Sequence, residues 1–492
     1  MSTSSGKEIW LVVGSQHLYG PETLDQVATN ASHLTSELND RPEIPVEFIF
    51  KQVVTTSEQI YEVCLQATRE DSCIGVVTWM HTFSPAKMWI RGLKVLKKPL
   101  CHLHTQFNSQ IPWSQIDMDF MNLNQSAHGD REFGHLLTRM QINRKVIVGF
   151  WQSPEVIAQL GTWTRAAMGW DSFQHLKVAR FGDNMRDVAV TEGDKVEAQI
   201  KLGVTVNGFG IGDLSEIVNA VPPDQIDLLT KLYADQYTIN EEDINHNSLK
   251  EAARIEIGLR NFLEQGGFGA FTDTFENLHG LHQLPGIPVQ RLMLDGYGFG
   301  AEGDWKTAAL LRSCKVMNEG LPGGSSFMED YTYHFNETDS MVLGAHMLEV
   351  CPSIANSRPS CEIHPLSIGG KNDPARLVFE ADAGPAINIS LVDLGNRLRM
   401  LVNSVQVEKP PKKLPKLPVA RVLWKPDPSL EVSAHAWMLA GGAHHTVFSQ
   451  ALSLEIIEDL AEIAGLELLI IDKNTNIRDF KDKLRWNEAF YQ

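Results

Sequence analysis

The sequence predicts two α/β domains built on parallel sheets, followed by a mostly antiparallel, β-barrel-like C-terminal domain. Three observations predict it. Up to Gly324, short apolar runs alternate with helical patterns, which describes parallel sheets wrapped by helices. From about Gly324 onward the runs alternate apolar and polar residues and follow one another without helices between them, as antiparallel strands do. Finally, 492 residues that are 43% hydrophobic and 21% charged give an ordinary globular composition with material for several cores. The expected domains are 1–175, 176–324 and 325–492.

In chain order, Glu8-Ile9-Trp10-Leu11-Val12-Val13 is a first buried strand, Gly14 to Gly20 is the loop after it, and the spacing over 22–38 is helical. The runs at 46–50, 74–79, 99–103 and 145–149 repeat the arrangement, so the first sheet is expected to be parallel and doubly wound. Ligands of such sheets lie outside the carboxyl ends of the strands, where Gln16, Leu18, His81, Phe83, Gln125 and His128 fall. A second unit begins after Trp170, with a strand at 176–181, the loop Asp183 to Arg186 beyond it, and further strand-to-loop passages at 203–208 and 269–272. The loop Gly208-Phe209-Gly210-Ile211-Gly212 lacks a full nucleotide fingerprint and reads as a turn. In the last part the alternating runs are 361–366, 375–380, 387–392 and 397–402. The proline- and lysine-rich 409–416 is an exposed loop, and helices at 454–464 and 477–490 close the chain.

Charge narrows the range of partners. An excess of 61 acidic over 43 basic residues, net −18, argues against nucleic acid or an anionic membrane as a partner. No apolar run approaches the roughly twenty residues of a membrane helix, and no signal-peptide core precedes the first strand, so the expected location is the cytoplasm. The six cysteines show no paired spacing and read as reduced thiols.

The chemistry concentrates between Leu292 and Glu349. Leu292-Met293-Leu294 is expected as a strand leading into Gly298-Phe299-Gly300-Ala301-Glu302-Gly303-Asp304, with an amphipathic helix over 305–318. Four glycines among the eight residues from Gly296 to Gly303 describe a backbone folded tightly around something, and Glu302 is the carboxylate inside that cage. The run matches the glycine fingerprint of dinucleotide sites. A carboxylate in the turn would repel a pyrophosphate, however, and no clear ribose-binding acid follows at the expected distance of about twenty residues. A cation suits Glu302 better. Glu329 follows a second glycine turn, His346 lies in Gly344-Ala345-His346-Met347, and Gly441-Gly442-Ala443 delivers His444 and His445. Two hard carboxylates with two or three imidazoles suit Mn²⁺, Mg²⁺ or Co²⁺ in a six-coordinate site with open positions; the alternative is surface acids and core histidines. On an extended segment His444 and His445 would point to opposite sides, which leaves one of them as a ligand.

Gly300-Ala301-Glu302-Gly303-Asp304-Trp305-Lys306, Ser326-Phe327-Met328-Glu329-Asp330-Tyr331, Gly344-Ala345-His346-Met347-Leu348-Glu349 and Gly441-Gly442-Ala443-His444-His445-Thr446 resemble the motifs of bacterial L-arabinose isomerase. So does the opening Gly14-Ser15-Gln16-His17-Leu18-Tyr19-Gly20, and the resemblance runs in order from near residue 7 to the C-terminus. It implies that Glu302, Glu329, His346 and His445 hold one Mn²⁺ per subunit, with Co²⁺ or Mg²⁺ as alternatives, while His444 lines the pocket. It further implies sugar contacts at Gln16, Leu18, Met185 and Phe275, and pocket residues Phe83, Gln125 and His128 supplied by a neighbouring subunit. The implied assembly is a homohexamer with sites at subunit boundaries. The implied reaction is isomerisation of L-arabinose to L-ribulose, with D-galactose to D-tagatose as a side reaction. It would pass through an enediol with Glu302 and Glu329 exchanging roles as base and acid. The rival readings are an L-fucose-type isomerase, a non-catalytic sugar-binding protein on paired α/β domains, and a dehydrogenase.

Overall fold

A computed structural model of the protein describes residues 6–336, 339–366 and 368–491. It comprises two compact units: the chain up to Asp171 together with Glu455–Gly465, and Ser172–Leu454 together with the chain from Leu466 on.

The first unit is built on five parallel strands: β1 Glu8–Gly14, β2 Glu47–Val54, β3 Cys73–Trp79, β4 Leu100–His104 and β5 Lys145–Val148. Their order is β2-β1-β3-β4-β5. Every residue of β3 is buried, which explains why its sequence is a continuous apolar run rather than an alternating one. The strand order reverses between β1 and β3, so the loops after Gly14 and Trp79 flank the crevice where doubly wound sheets take ligands. The helix Leu454–Ala464 contributes Asp459, 314 positions after Lys145, and its Oδ1 lies 2.6 Å from Lys145 Nζ on β5. All six cysteines are buried free thiols.

The second unit holds another parallel sheet and a barrel. The sheet has the order β7-β6-β8-β9, with β6 Lys177–Phe181, β7 Thr205–Phe209, β8 Ala270–Asp273 and β9 Gly298–Gly300. Beyond it lie β10 Ser325–His334, β11 Met341–Ala345, β12 Ser360–Ile363, β13 Ala375–Val378, β14 Gly384–Asp393, β15 Leu398–Glu408, β16 Arg421–Pro426, β17 His445–Ser449 and β18 Glu467–Ile471. Six of these run antiparallel in the order β14-β17-β10-β11-β16-β15, and the β14–β15 pairing closes them into a barrel that leaves no open edge; β18 joins β15 in parallel. Two parallel sheets and an antiparallel barrel are the expected fold class.

Three local expectations are corrected. Leu292-Met293-Leu294 is not a strand but the end of the helix Gly286–Leu294, and the strand is the glycine run itself, β9. The helix Trp305–Met317 is not amphipathic: all its residues except Arg312 and Lys315 are buried, because it packs between β9 and the barrel. The runs at 361–366 and 375–380 form a separate pair, β12–β13, outside the barrel.

The glycines of β9 serve close packing rather than a bound group. A Cβ on Gly298 would stand 2.0 Å from the Ala308 carbonyl oxygen, and one on Gly300 2.3 Å from that of Asp304. Neither backbone can move away without breaking the helix. We expect Gly298→Ala to destabilise the protein by at least the roughly 1–3 kcal/mol of an overpacked core, read as a lower thermal midpoint. An unchanged midpoint would contradict this packing.

Candidate metal centre

Barrel register delivers the first donors. Glu329 on β10 is the direct cross-strand partner of His445 on β17, and on its other side it pairs with Ala345, the residue before His346. One end of the barrel thus gathers a carboxylate and two imidazoles. Phe327, two residues before Glu329 and therefore on the same strand face, sets its ring between the imidazoles, 5.0 Å from each at 78° and 72°.

Glu302 arrives from the parallel sheet by a strained turn. Its φ is +60°, a region that side-chain-bearing residues occupy at a cost of about 1–3 kcal/mol, and it is followed by Gly303 at +81°. Two backbone hydrogen bonds hold the turn: Met185 N–H donates to the Glu302 carbonyl and Gly303 N–H to that of Asp273, both at 3.0 Å. A Cβ on Gly303 would meet Asn184 Cα at 2.6 Å, so this position requires glycine for space as well as for φ.

The side chains converge at distances too long for hydrogen bonds. His445 Nε2 lies 3.5 Å from Glu329 Oε1 and 3.8 Å from Glu302 Oε2, and His346 Nε2 lies 3.9 Å from Glu329 Oε2. His444 Nε2 lies 3.7 Å from Glu329 and 3.8 Å from Glu302. Donor atoms of Glu302, His444 and His445 all fall within 4.8 Å of one another. The expectation that His444 and His445 would point to opposite sides is therefore corrected. β17 begins at His445, so His444 still belongs to the turn and strand alternation does not apply to it.

Each imidazole that the barrel delivers is fixed from behind by a carboxylate. His445 Nδ1 donates to Asp304 Oδ2 at 3.1 Å and His346 Nδ1 to Glu349 Oε2 at 2.5 Å. A carboxylate accepts only, so both rings carry the Nδ1 proton and leave Nε2 as the ligating atom when neutral. His445 Nε2 is buried with no hydrogen-bond partner among the described residues. Burial alone would lower the His445 pKa, but Asp304 and Glu329 more than reverse this and bring it to about 9. For His346 burial is likewise outweighed, mainly by Glu349. Burial opposes ionisation of Glu329, yet the three histidines hold its pKa below the usual value. Asp304 is fully buried, and Lys306, His445 and Thr307 keep it well below the carboxylate range against that burial. Burial, with Glu349 adding to it and His346 opposing, raises Asp273 to about 7. Carboxylate and imidazole donors, one of them buried and unpartnered, fit a borderline-hard divalent cation.

Of the residues expected to touch sugar, Phe275 lines a small cavity with Glu302 and His346, and Met185 supports the Glu302 turn through its backbone. Gln16, Leu18, Phe83, Gln125 and His128 belong to the first unit. There, Tyr19 donates to Gln125 at 2.8 Å, the rings of Phe83 and His128 are 4.7 Å apart, and Leu18 is 82% exposed.

Comparison with known proteins places the chain in a family. Models of the L-arabinose isomerase N-terminal, central and C-terminal domains match residues 3–175, 177–320 and 324–467. L-arabinose isomerases of Flavobacterium johnsoniae and Koribacter versatilis are each 60% identical, over 99% of this chain and 98% of theirs. The chain belongs to the L-arabinose isomerase family. Another member, from Geobacillus stearothermophilus, is 58% identical over 99% of this chain and 98% of its own. A solved ABC transporter solute-binding protein from Burkholderia multivorans aligns at 9% identity with a TM-score of 0.16, covering 63% of this chain and 92% of its own, a likeness that carries no weight.

Sequence reasoning on this L-arabinose isomerase family member missed the carboxylates behind the two imidazoles. Glu349 could have been found from the His-x-x-Glu spacing, and Asp304 from its place before a helix start. Nothing local links Asp304 to His445, 141 positions away.

Proposed function

We propose that this protein converts L-arabinose to L-ribulose, with D-galactose to D-tagatose as a side reaction, and requires a divalent cation. The cation would be Mn²⁺, with Co²⁺ or Mg²⁺ as alternatives, one per subunit, held by Glu302, Glu329, His346 and His445 with His444 beside them. The observation that carries this reading is His445 Nε2, buried, unpartnered and facing two carboxylates. A ring nitrogen buried this way is costly unless something it can bind comes to it.

Aldose–ketose isomerisation removes the proton on C2 of the open-chain sugar and delivers a proton to C1, through an enediol. Of Glu302 and Glu329, one carboxylate accepts the C2 proton while the other manages the hydroxyl protons, and the proton then returns to C1, so that base and acid exchange roles. When bound, the cation supplies Lewis-acid stabilisation of the negative charge on the sugar oxygens. Asp304 and Glu349 hold the imidazole rings in orientation, and Phe327 keeps them apart. The same reading has the protein acting in the cytoplasm as a homohexamer with sites at subunit boundaries, as the family resemblance implies. Among the described residues no helix is long and apolar enough to cross a membrane.

The test is to strip the protein with a chelator and assay ketose formation from L-arabinose as Mn²⁺, Mg²⁺, Co²⁺ or Zn²⁺ is restored singly. Activity should vanish and return, most fully with Mn²⁺. Full turnover after stripping would sink the metal dependence. Turnover of L-fucose but not L-arabinose would favour an L-fucose-type isomerase.

A further inference from the structure

Asp273 stands at the carboxyl end of β8, in the parallel sheet whose neighbouring strand β9 leads to Glu302. It is only 6% exposed, yet its carboxylate has no hydrogen-bond partner among the described residues; its charged neighbours are Glu349 and His346. Asp304 shows what a structural buried carboxylate looks like here. It accepts from two backbone N–H groups, the Thr307 hydroxyl and His445, and pairs with Lys306. Asp273 has no such set, and a buried polar group left without partners is retained at a cost.

Asp273 borders a cavity of about 20 Å³ shared with Phe275, Leu284, Glu302, His346 and Glu349. That volume admits one water-sized group, for which about 10–15 Å³ is needed, and excludes a whole sugar. Its walls join an apolar side, Phe275 and Leu284, to Asp273. Asp273 is not among the donors that gather within 4.8 Å of one another, Glu302, His444 and His445.

We infer that Asp273 is a specificity-determining residue that binds one hydroxyl of the open-chain sugar, its carbon lying against Phe275. A hydroxyl both donates and accepts, so it matches the carboxyl in either protonation state. This inference rests on the isomerase reading above.

The test compares the unaltered protein with Asp273→Ala and Asp273→Asn on L-arabinose and its 3-, 4- and 5-deoxy analogues, with Mn²⁺ affinity and thermal midpoint measured alongside. KM for L-arabinose should rise roughly tenfold to a hundredfold, the range for losing a hydrogen bond to a charged group, with kcat and Mn²⁺ affinity retained. For one deoxy sugar, the one lacking the bound hydroxyl, KM should scarcely change. Equal losses on all four sugars, loss of Mn²⁺ affinity, or no change in either variant would overturn the assignment. If Asp273→Ala does not fold, the isosteric Asp273→Asn carries the same comparison. Turnover by the unaltered protein with a flat panel would sink the role of Asp273 alone, whereas no ketose from the unaltered protein would sink the isomerase reading and this inference together.

Discussion

Glu302→Gln and Glu329→Gln should each lower ketose formation by roughly 10²–10⁴-fold at saturating Mn²⁺, the contribution of a positioned acid or base. Glutamine keeps the length of the side chain and one acceptor oxygen, and removes the charge that both proton transfer and a cation require. The two sites test different environments. Glu302 rides on a left-handed turn fixed by Met185 and Gly303, while Glu329 sits in the barrel between β11 and β17. Neither substitution alters backbone demand, so the thermal midpoint of the metal-free protein should hold while activity falls. A deficit that excess Mn²⁺ repairs would reduce the residue to a ligand. Near-normal turnover in either variant would remove that residue from the mechanism.

Asp304→Asn should weaken Mn²⁺ binding by roughly tenfold to a hundredfold, the usual effect of losing the carboxylate behind a ligating histidine. It should also lower stability markedly. Lys306 is completely buried, with its ammonium 3.1 Å from Asp304 Oδ1 and hydrogen-bonded to the carbonyls of Thr191 and Glu192. Removing one partner of a buried ion pair commonly costs about 3–5 kcal/mol. Asparagine retains an oxygen for the helix cap at Lys306 and Thr307, so the loss can be assigned to charge rather than to capping. Thermal unfolding and Mn²⁺ titration of the same variant check both effects. A variant that melts and binds Mn²⁺ like the parent would mean that Asp304 neither orients His445 nor balances Lys306.

Local sequence carried much of this. Strand and helix periods gave both parallel sheets, the antiparallel C-terminal region and the last two helices, because burial on one face of an element, or on both faces of a strand, writes its pattern directly into the chain. The acids and imidazoles that gather at the candidate site, Glu302, Glu329, His346, His444 and His445, were also legible, since such residues after glycine turns stand out against an apolar background. The glycine run was misread for a physical reason. Glycine marks close approach of backbone, and the sequence does not say whether the approaching group is a ligand or, as with Ala308 and Asp304, the protein itself.

Residue types and their periods were enough for most of the strands and helices and for the side chains that could bind a cation. Tertiary structure alone decided the barrel register that sets Glu329 against His445, the turn that brings in His444, and the carboxylates of Asp304 and Glu349 behind the rings. It alone returned the helix bearing Asp459 to the first unit and left the Asp273 carboxylate without a hydrogen-bond partner among the described residues. The reason is range: periodicity records what a residue buries within its own strand or helix, whereas these contacts join residues far apart in sequence through the closing of sheets, which no local pattern encodes.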